Sequence, residues 1–426
     1  MIKASDILGM NAREQLYTPL NSAKAKKLCS DKYSSKQLLI KHQIPTAKLY
    51  GVLITHEDIE EFDWQLLEKN FVIKPTNGNA GKGVVAFKSK INNDNWVDVM
   101  GNYWSLNDLK LHCFNIMEGQ YSTYGRQHHV IIEERILIHP KLLKYTYRGT
   151  PDIRVLVYNQ VPVIALLRLP TKESEGRANQ SQGAIGVGVD MATGITTYAA
   201  AHKNQLIRYL PGTKKKLNGI KIPYWHQVLT VAVDAAQISG LAYAGIDLFV
   251  HKTKGPMVVE INANPGLSIQ VANKAGLRRR LERIAGLQVR NTEHGVKIAQ
   301  ALFAEKFADV VKSKQGLSII NTKEQVIVFG DHKQKVEVLA RINTGRYRSA
   351  IALNTAQELG LVDRDDLLWY QNESEEGKVP VIKVKLKIAD RIIDTTMIVS
   401  KSLNRGLYRL HLGRNDLAEF LVRSNS

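Results

Sequence analysis

The sequence predicts an α+β body followed by a small all-β domain, and three observations predict it. Residues 71–88 read as strand, glycine-rich loop, strand (FVIKP, TNGNAGKG, VVAF). Residues 244–262 read as two apolar strands, AGIDLFV and PMVVEIN, joined by HKTKG. Beyond residue 320 the chain turns to short β-rich segments such as VIKVKLKI, which alternate at the period of two expected of a half-buried strand.

The 426 residues suit two or three domains. With 44% hydrophobic and 23% charged residues the composition is that of ordinary globular material. Cys29 and Cys113 are too few for a disulfide framework or a metal knuckle and read as reduced thiols. The opening MIKASDILGMNAREQ has no basic start followed by an apolar stretch, and no apolar run approaches the ~20 residues of a membrane span. A cytoplasmic location is expected. The net charge is +19, with 59 Lys and Arg against 40 Asp and Glu. Most of the excess lies before residue 323, largely dispersed, with dense runs only at Lys214–Lys216 and Arg278–Arg280. That dispersion favours anionic small substrates over nucleic acid as partners.

Taken in order, residues 12–42 read as helical, with Ser30 and Asp31 as caps for a helix beginning near Lys32. Ile44-Pro45 ends it, because the residue before proline avoids the helical region. KLYGVL reads as a strand, as does VIIEERILI at 130–138. Residues 152–168 form a strand pair turning at Asn159-Gln160. Helices are predicted over 226–239 and 292–313. The expected domains are 1–310, with a helical part over 1–45, a linker at 311–322, and an all-β domain over 323–426.

Three clusters carry chemistry. The first is the loop Asn77-Gly78-Asn79-Ala80-Gly81-Lys82-Gly83, whose glycines let backbone N–H groups approach phosphate oxygens. It is not a Walker loop, because no Gly-Lys-Ser/Thr opens a helix. Lys74, on the otherwise apolar FVIKP, is costly to bury without an anion, and a triphosphate would supply one. The second cluster is Asp247, Glu260 and Asn262. Glu260 and Asn262 lie two apart and share one strand face, so the three offer oxygen ligands to a hard cation such as Mg²⁺. The third is basic: Arg154 in DIRV, Arg168 in LLRLP, and Arg177 with Asn179 in GRANQSQGAIG. Arginine inside a strand is usually paired or bound to an anion, and the polar loop from Pro170 to Gly188 suits closure over a reacting centre.

Lys74, the glycine loop, the Asp247 strand and the Glu260-x-Asn262 strand occur in the order of the ATP-grasp fold, in which two α/β subdomains sandwich ATP. Within that fold, DKYSSKQLLIKHQIP, DIRVLVYNQVPVIALLRLP, RANQSQGAIGVGVD and VVEINANPGLSIQVAN resemble the RimK-like α-L-glutamate ligases. The resemblance implies a ligase that uses ATP and Mg²⁺, with Mn²⁺ able to substitute, to join a carboxylate to an amino-acid or peptide amine through an acyl phosphate. It implies that Lys32 and Lys74 contact the phosphates, with the 77–83 loop covering them. Glu133, Glu134, Arg135 and Ile136 are expected to form a hinge holding adenine by backbone groups. Asp247, Glu260 and Asn262 are expected to bind one or two Mg²⁺, and Arg154, Arg168, Arg177 and Asn179 to face the acyl phosphate or acceptor. The chain departs from the family in its short segment before Asp31. It also has Gly245 where some relatives carry an arginine, so Arg168 or Arg177 is expected to steady the transition state instead. Two alternatives are an ATP-grasp enzyme acting on a sugar-linked or carrier-borne carboxylate, and a peptide- or nucleic-acid-binding protein without turnover.

In the C-terminal part, RINTGRYRSAIAL and LYRLHLGRNDL resemble the two signatures of retropepsin-like aspartic proteases. A small barrel is implied, with homodimerisation or peptide binding as its role. Asn343 stands where that family places a catalytic aspartate, and an amide cannot share a proton between carboxylates. Arg346 and Arg348 crowd the same motif and point to natural decay rather than an engineered change. Protease activity is not expected.

Overall fold

The computed structural model describes residues 4–67, 69–77, 81–121, 128–304, 318–331, 334–362, 367–373, 376–389, 391–417 and 420–423. It divides into two compact units, Met1–Ala285 and Gly286–Ser426.

The first unit opens with helices α1 (Met10–Leu16), α2 (Ala23–Ser30) and α3 (Lys32–Lys41). The Asp31 side chain accepts from the Ser34 amide and caps α3 as expected. A six-stranded antiparallel sheet follows, built from β1 (Leu49–Leu53), β2 (Phe71–Pro75), β3 (Val85–Asn92), β4 (Asn95–Asp98), β5 (Tyr103–Ser105) and β6 (Val130–Glu134) in the order β1-β6-β2-β3-β4-β5. Its core face carries Phe71 stacked on Phe87 at 4.3 Å, with Ile73, Trp96 and Ile132. Helices α4 (His56–Glu61) and α5 (Leu106–Met117) pack on it, each started by a capping box, Thr55–Asp58 and Ser105–Asp108. Alternation sends Lys74 of β2 and Glu133 of β6 to the opposite face.

The second sheet of this unit has seven strands: β7 (Asp152–Tyr158), β8 (Val161–Leu169), β9 (Ile185–Val189), β10 (Thr196–Ala200), β11 (Leu206–Ile207), β12 (Tyr243–His251) and β13 (Gly255–Asn262). Their order is β11-β10-β9-β8-β7-β12-β13. The β7–β8 hairpin turns at Asn159 and Gln160, with φ of 49° and 58°, as a tight hairpin requires. Helices α6 (Pro140–Leu143), α7 (Trp225–Ser239), α8 (Ile269–Asn273) and α9 (Leu277–Ile284) complete the unit. Helix α7 buries Val228, Leu229, Ala232 and Val233 and packs on β12 and β13.

The second unit begins with α10 (Thr292–Leu302), which stops well before residue 313; residues 305–317 lie outside the described part. Strands β14 (Ser318–Asn321), β15 (Lys323–Phe329), β16 (Lys335–Ile342), β17 (Ala350–Ala352), β18 (Leu367–Glu373), β19 (Gly377–Ile388), β20 (Arg391–Ser400), β21 (Leu410–Leu412) and β22 (Phe420–Arg423) follow, with helix α11 (Leu353–Glu358) after β17. Seven of these strands form the sheet β15-β16-β21-β17-β20-β19-β18, and a β15–β19 pairing closes it into a barrel around Val326, Val338, Ile351, Val384, Leu386 and Leu410. The division after Ala285 differs from the boundary expected near residue 310. Helix α10 lies in the second unit, with His294 Nε2 2.8 Å from the Leu368 carbonyl on β18.

The two signature segments of the barrel meet: β16 pairs with β21 in parallel, and the Asn343 amide donates to the Leu412 carbonyl at 2.9 Å. Asn343 Oδ1 accepts from Gly345 N. Arg346 pairs with Glu373, and Arg348 donates to Thr396 and Gln371. Asp416 is buried and accepts from Ser349 and Thr395.

Candidate active site

Register sets the site. Across β8, β7, β12 and β13, Arg168 lies opposite Asp152, Arg154 opposite Asp247, and Asp247 opposite Glu260. Asn262 follows two residues on, so all six side chains share one face of the sheet. Arg154 and Arg168 share this face with Asp247, Glu260 and Asn262, whereas Arg177 and Asn179 lie in the loop after β8.

The pairing within that face was not anticipated. Arg154 grips Asp247 with Nε to Oδ1 and Nη2 to Oδ2, each at 2.7 Å. Arg168 donates Nε and Nη2 to Asp152 at 2.5 and 2.6 Å, and Nη2 again to Asp247 Oδ2 at 2.7 Å. Two arginines and two aspartates thus form a charge-balanced chain, Arg154–Asp247–Arg168–Asp152. Burial pushes the Asp152 carboxyl up to about 6 against the pull of Arg168, with the Asp247 charge adding to the rise. Asp247 is buried as deeply, yet Arg154 and Arg168 together hold it below the usual range. Burial works against the Arg168 charge, and the two carboxylates more than offset it. Arg168 is therefore an anchored residue rather than a loose cation.

Glu260 is more open, its side chain 40% exposed, and Lys32 Nζ lies 3.2 Å from it. Asn262 Oδ1 accepts from the Asn264 amide. The donors of Asp247, Glu260 and Asn262 are all oxygen, the type a hard cation takes. Asp247 Oδ1 accepts one bond and Oδ2 two, so Oδ1 keeps a lone pair. In donor type and remaining capacity the residues fit Mg²⁺, although among the described residues no group of three His, Cys, Asp or Glu gathers to hold a metal. Gly245, opposite Asn262, has a close physical reason: a Cβ there would stand 2.7 Å from Pro265 Cβ.

On the facing sheet, Lys74 has an anion already. Its ammonium lies 2.5 Å from Glu133 Oε1, and Lys36 reaches Glu133 Oε2 at 2.7 Å. This corrects the expectation that a triphosphate alone would satisfy Lys74. Burial alone would raise Glu133, and the charges of Lys74 and Lys36 outweigh it and hold the carboxyl low. Burial drives Lys36 below the ordinary lysine range although Glu133 pulls the other way. Lys36, also bonded to the Ala47 carbonyl at 2.7 Å, escaped the sequence reading. Its signal was the four-residue step from Lys32 on one helix face. Lys32, Lys36, Lys74 and Glu260 line one pocket between α3, β2 and β13.

The expected backbone hinge narrows. Glu133 sits between β1 and β2 and is ladder-paired to both, the Glu134 amide donates to Lys48, and the Arg135 amide donates to Asn70. Of the four residues, Ile136 is the one with neither role, and it is buried. In the glycine loop, Gly78 lies outside the described residues. Asn77 and Lys82 are exposed. Gly81 and Gly83 take φ of 75° and 72°, and a Cβ at Gly83 would strike the Tyr121 ring at 2.8 Å. Arg177, 43% exposed and 3.4 Å from Glu175, approaches within 4.0 Å of where a Gly81 Cβ would sit. The loop expected over Pro170–Gly188 ends earlier, because β9 starts at Ile185, and its Pro170–Ala184 part adjoins Gly81 of the glycine loop. Asn179 caps a short turn by accepting from Ser181, which employs its carbonyl locally.

Residues 11–286 match the family described as sugar-transfer associated ATP-grasp. A probable alpha-L-glutamate ligase of Legionella pneumophila (strain Corby) is 28% identical over 252 residues, 59% of this chain and 61% of the relative. One of Klebsiella pneumoniae (strain 342) is 24% identical over 249 residues, 58% and 60% of the two chains. The chain thus spans about three-fifths of the length of these curated relatives. Among solved structures, the ATP-grasp ligase PsnB complexed with minimal precursor is 15% identical with a TM-score of 0.34, covering 62% of this chain and 63% of that one. D-cycloserine synthetase DcsG is 14% identical with a TM-score of 0.35, covering 61% and 70%.

Proposed function

We propose, because this chain belongs to the sugar-transfer associated ATP-grasp family, that residues 1–285 form an ATP-dependent ligase joining a carboxylate to an amine with release of ADP. The observation that carries this reading is the pocket in which Lys32, Lys36 and Lys74 meet Glu260, beside the Asp247–Asn262 face. Three lysines against Glu133 and Glu260 leave net positive charge next to oxygen donors, which suits the phosphate end of a metal-bound nucleotide.

In this reading the substrate carboxylate attacks the γ-phosphate of ATP, ADP leaves, and an amine then displaces phosphate from the acyl phosphate. Asp247, Glu260 and Asn262 would hold Mg²⁺, which would supply neutralisation of developing phosphate charge. Lys32 exchanges Glu260 for a phosphate oxygen. Lys74, steadied by Glu133, supplies a fixed positive charge that needs no reorganisation during the reaction. Arg154 and Arg168 hold Asp247 in one orientation, and Arg177 comes in from the loop to the acyl phosphate. The names of the relatives, probable alpha-L-glutamate ligases, support an amino-acid or peptide substrate. The barrel is read as a non-catalytic, retropepsin-like relative used for dimerisation or peptide capture, on the strength of Asn343 at the joined motifs.

A second reading, a sugar-linked or carrier-borne carboxylate, is favoured by the family's association with sugar transfer. Incubating the protein with ATP, Mg²⁺ and pooled amino acids, then separately with sugar acids, and identifying products by mass tests both. Substrate-dependent ADP with an amide product supports ligation. No ADP with any pool would sink it in favour of a binding protein.

A further inference from the structure

Two stretches of the first unit, residues 136–151 and 191–233, contain no aspartate or glutamate. Together they carry nine exposed lysines and arginines. These cations look dispersed along the sequence, and the fold gathers them. Lys215 Nζ donates to the Lys144 carbonyl at 2.7 Å. Tyr224 meets His139 edge-on at 6.2 Å. A hairpin closed by the Tyr209–Lys216 bridge leaves Lys214, Lys215 and Lys216 exposed. Surfaces kept merely soluble mix both signs, whereas here the two stretches supply cations and no carboxylate, and the carboxylate that reaches them, Glu173, comes from the neighbouring loop beside His202.

Aromatic rings interleave with the cations. Tyr147, Tyr209 and Tyr224 are 38%, 42% and 40% exposed. Arg148 lies over Tyr147 at 5.5 Å and Arg208 over Tyr209 at 5.7 Å. Cations that follow phosphates, alternating with rings that offer stacking faces, are the means by which single strands are held without sequence preference. A bilayer surface fits less well, because the exposed part, residues 139–149 and 201–224, has no regular helix longer than α6 to lay an apolar face on lipid.

The surface also borders the loop that carries Arg177. The Tyr147 amide donates to the Pro170 carbonyl at 3.0 Å, and a Cβ on Gly149 would stand 1.9 Å from the Gly176 carbonyl. On the other side His202 lies 3.7 Å from Glu173.

We propose that this surface binds a single-stranded polynucleotide alongside the Pro170–Ala184 loop. The proposal goes beyond the ligase reading and does not depend on it, since binding is measured without ATP. The probe is a fluorescein-labelled oligouridylate, followed by anisotropy with the full chain across a salt series. Saturable binding is expected, weakening steeply with salt. The variant K214Q/K215Q/K216Q should lose ~10-fold in affinity and lower the log–log salt slope by about 2, at roughly 0.7 per phosphate contact. Tyr209→Ala should weaken binding ~5-fold at an unchanged slope, which a purely ionic surface would not do. Equal binding by the triple variant, no loss in Tyr209→Ala, absence of saturation at about 50 mM salt, or binding to anionic vesicles in place of the oligomer would each overturn the proposal. Unchanged melting temperatures establish that both exposed-site variants are folded.

Discussion

Asp247 and Arg154 stand directly opposite each other on antiparallel strands β12 and β7 and join through two parallel hydrogen bonds of 2.7 Å. Arg168 adds a third bond to the same carboxylate. The aspartate is thereby fixed in direction while Oδ1 keeps a free lone pair. This arrangement supplies an oriented oxygen beside Glu260 without leaving a bare buried charge.

Glu260→Ala is expected to abolish ATP turnover, by on the order of 10²-fold or more, with the fold intact. Its side chain is 40% exposed and contacts Lys32 at the pocket mouth, so its removal leaves no cavity. ADP release and the melting temperature are measured together. Normal ADP release by the folded variant would sink the metal assignment.

Arg168→Ala and Arg177→Ala should separate stability from activity. Removing Arg168 strands Asp152 in the interior, while Asp247 keeps Arg154, and should cost about 3–5 kcal/mol in urea unfolding. Arg177 is largely solvated, so its removal should change stability by no more than about 0.5 kcal/mol while lowering turnover. Equal destabilisation by the two would contradict the buried chain of charges.

Gly245→Ala should destabilise by about 1–3 kcal/mol, because the new methyl group meets Pro265 at 2.7 Å. Differential scanning calorimetry checks it. An unchanged transition would mean that the Asn264–Gly266 loop moves aside freely.

Two buried carboxyls should move stability in opposite directions with pH. Glu133 is held below its unfolded value of 4.5. Its contribution is complete above that value and lost as the pH falls through the folded one, so Glu133→Gln should remove part of the acid-side loss. Asp152 is raised from 3.8 to about 6. Its contribution is complete below 3.8 and is lost as the pH rises through about 6, so Asp152→Asn should flatten that decline. Urea midpoints from about pH 2.5 to 7 for the two variants, each compared with the parent, decide it; parallel curves would refute both assignments.

Asn343→Asp alone should not confer peptide cleavage, because Arg346 and Arg348, tied to Glu373, Gln371 and Thr396, still crowd the motif. A fluorogenic peptide assay tests this. Cleavage by the parent protein, lost on deleting residues 323–426, would refute the non-catalytic reading.

Much of the site was legible because it rests on local periodicity. The shared face of Glu260 and Asn262 follows from a step of two, and the turn at Asn159-Gln160 from residues that tolerate positive φ. What sequence spacing could not supply is register between distant strands. Glu133 reaches Lys74 only because β6 lies beside β2, and Asp247 meets Arg154 only because β12 lies beside β7. The same limit hid the β15–β19 closure and the place of α10 on β18. Pro265 over Gly245 is a contact between a loop and a strand that no propensity encodes.

The β14–β22 pairing has a kinetic consequence. It sets Ser318–Asn321 beside Phe420–Arg423, and β16–β21 similarly joins residues 340–342 to 410–412. Both are parallel contacts between segments far apart in the chain, so their loop-closure entropy must be met before they yield any stabilisation. During synthesis the barrel must wait for Phe420–Arg423 to leave the ribosome, whereas every described strand of the first unit lies at or before Asn262. The first unit is free to mature on the nascent chain before those two barrel pairings can form.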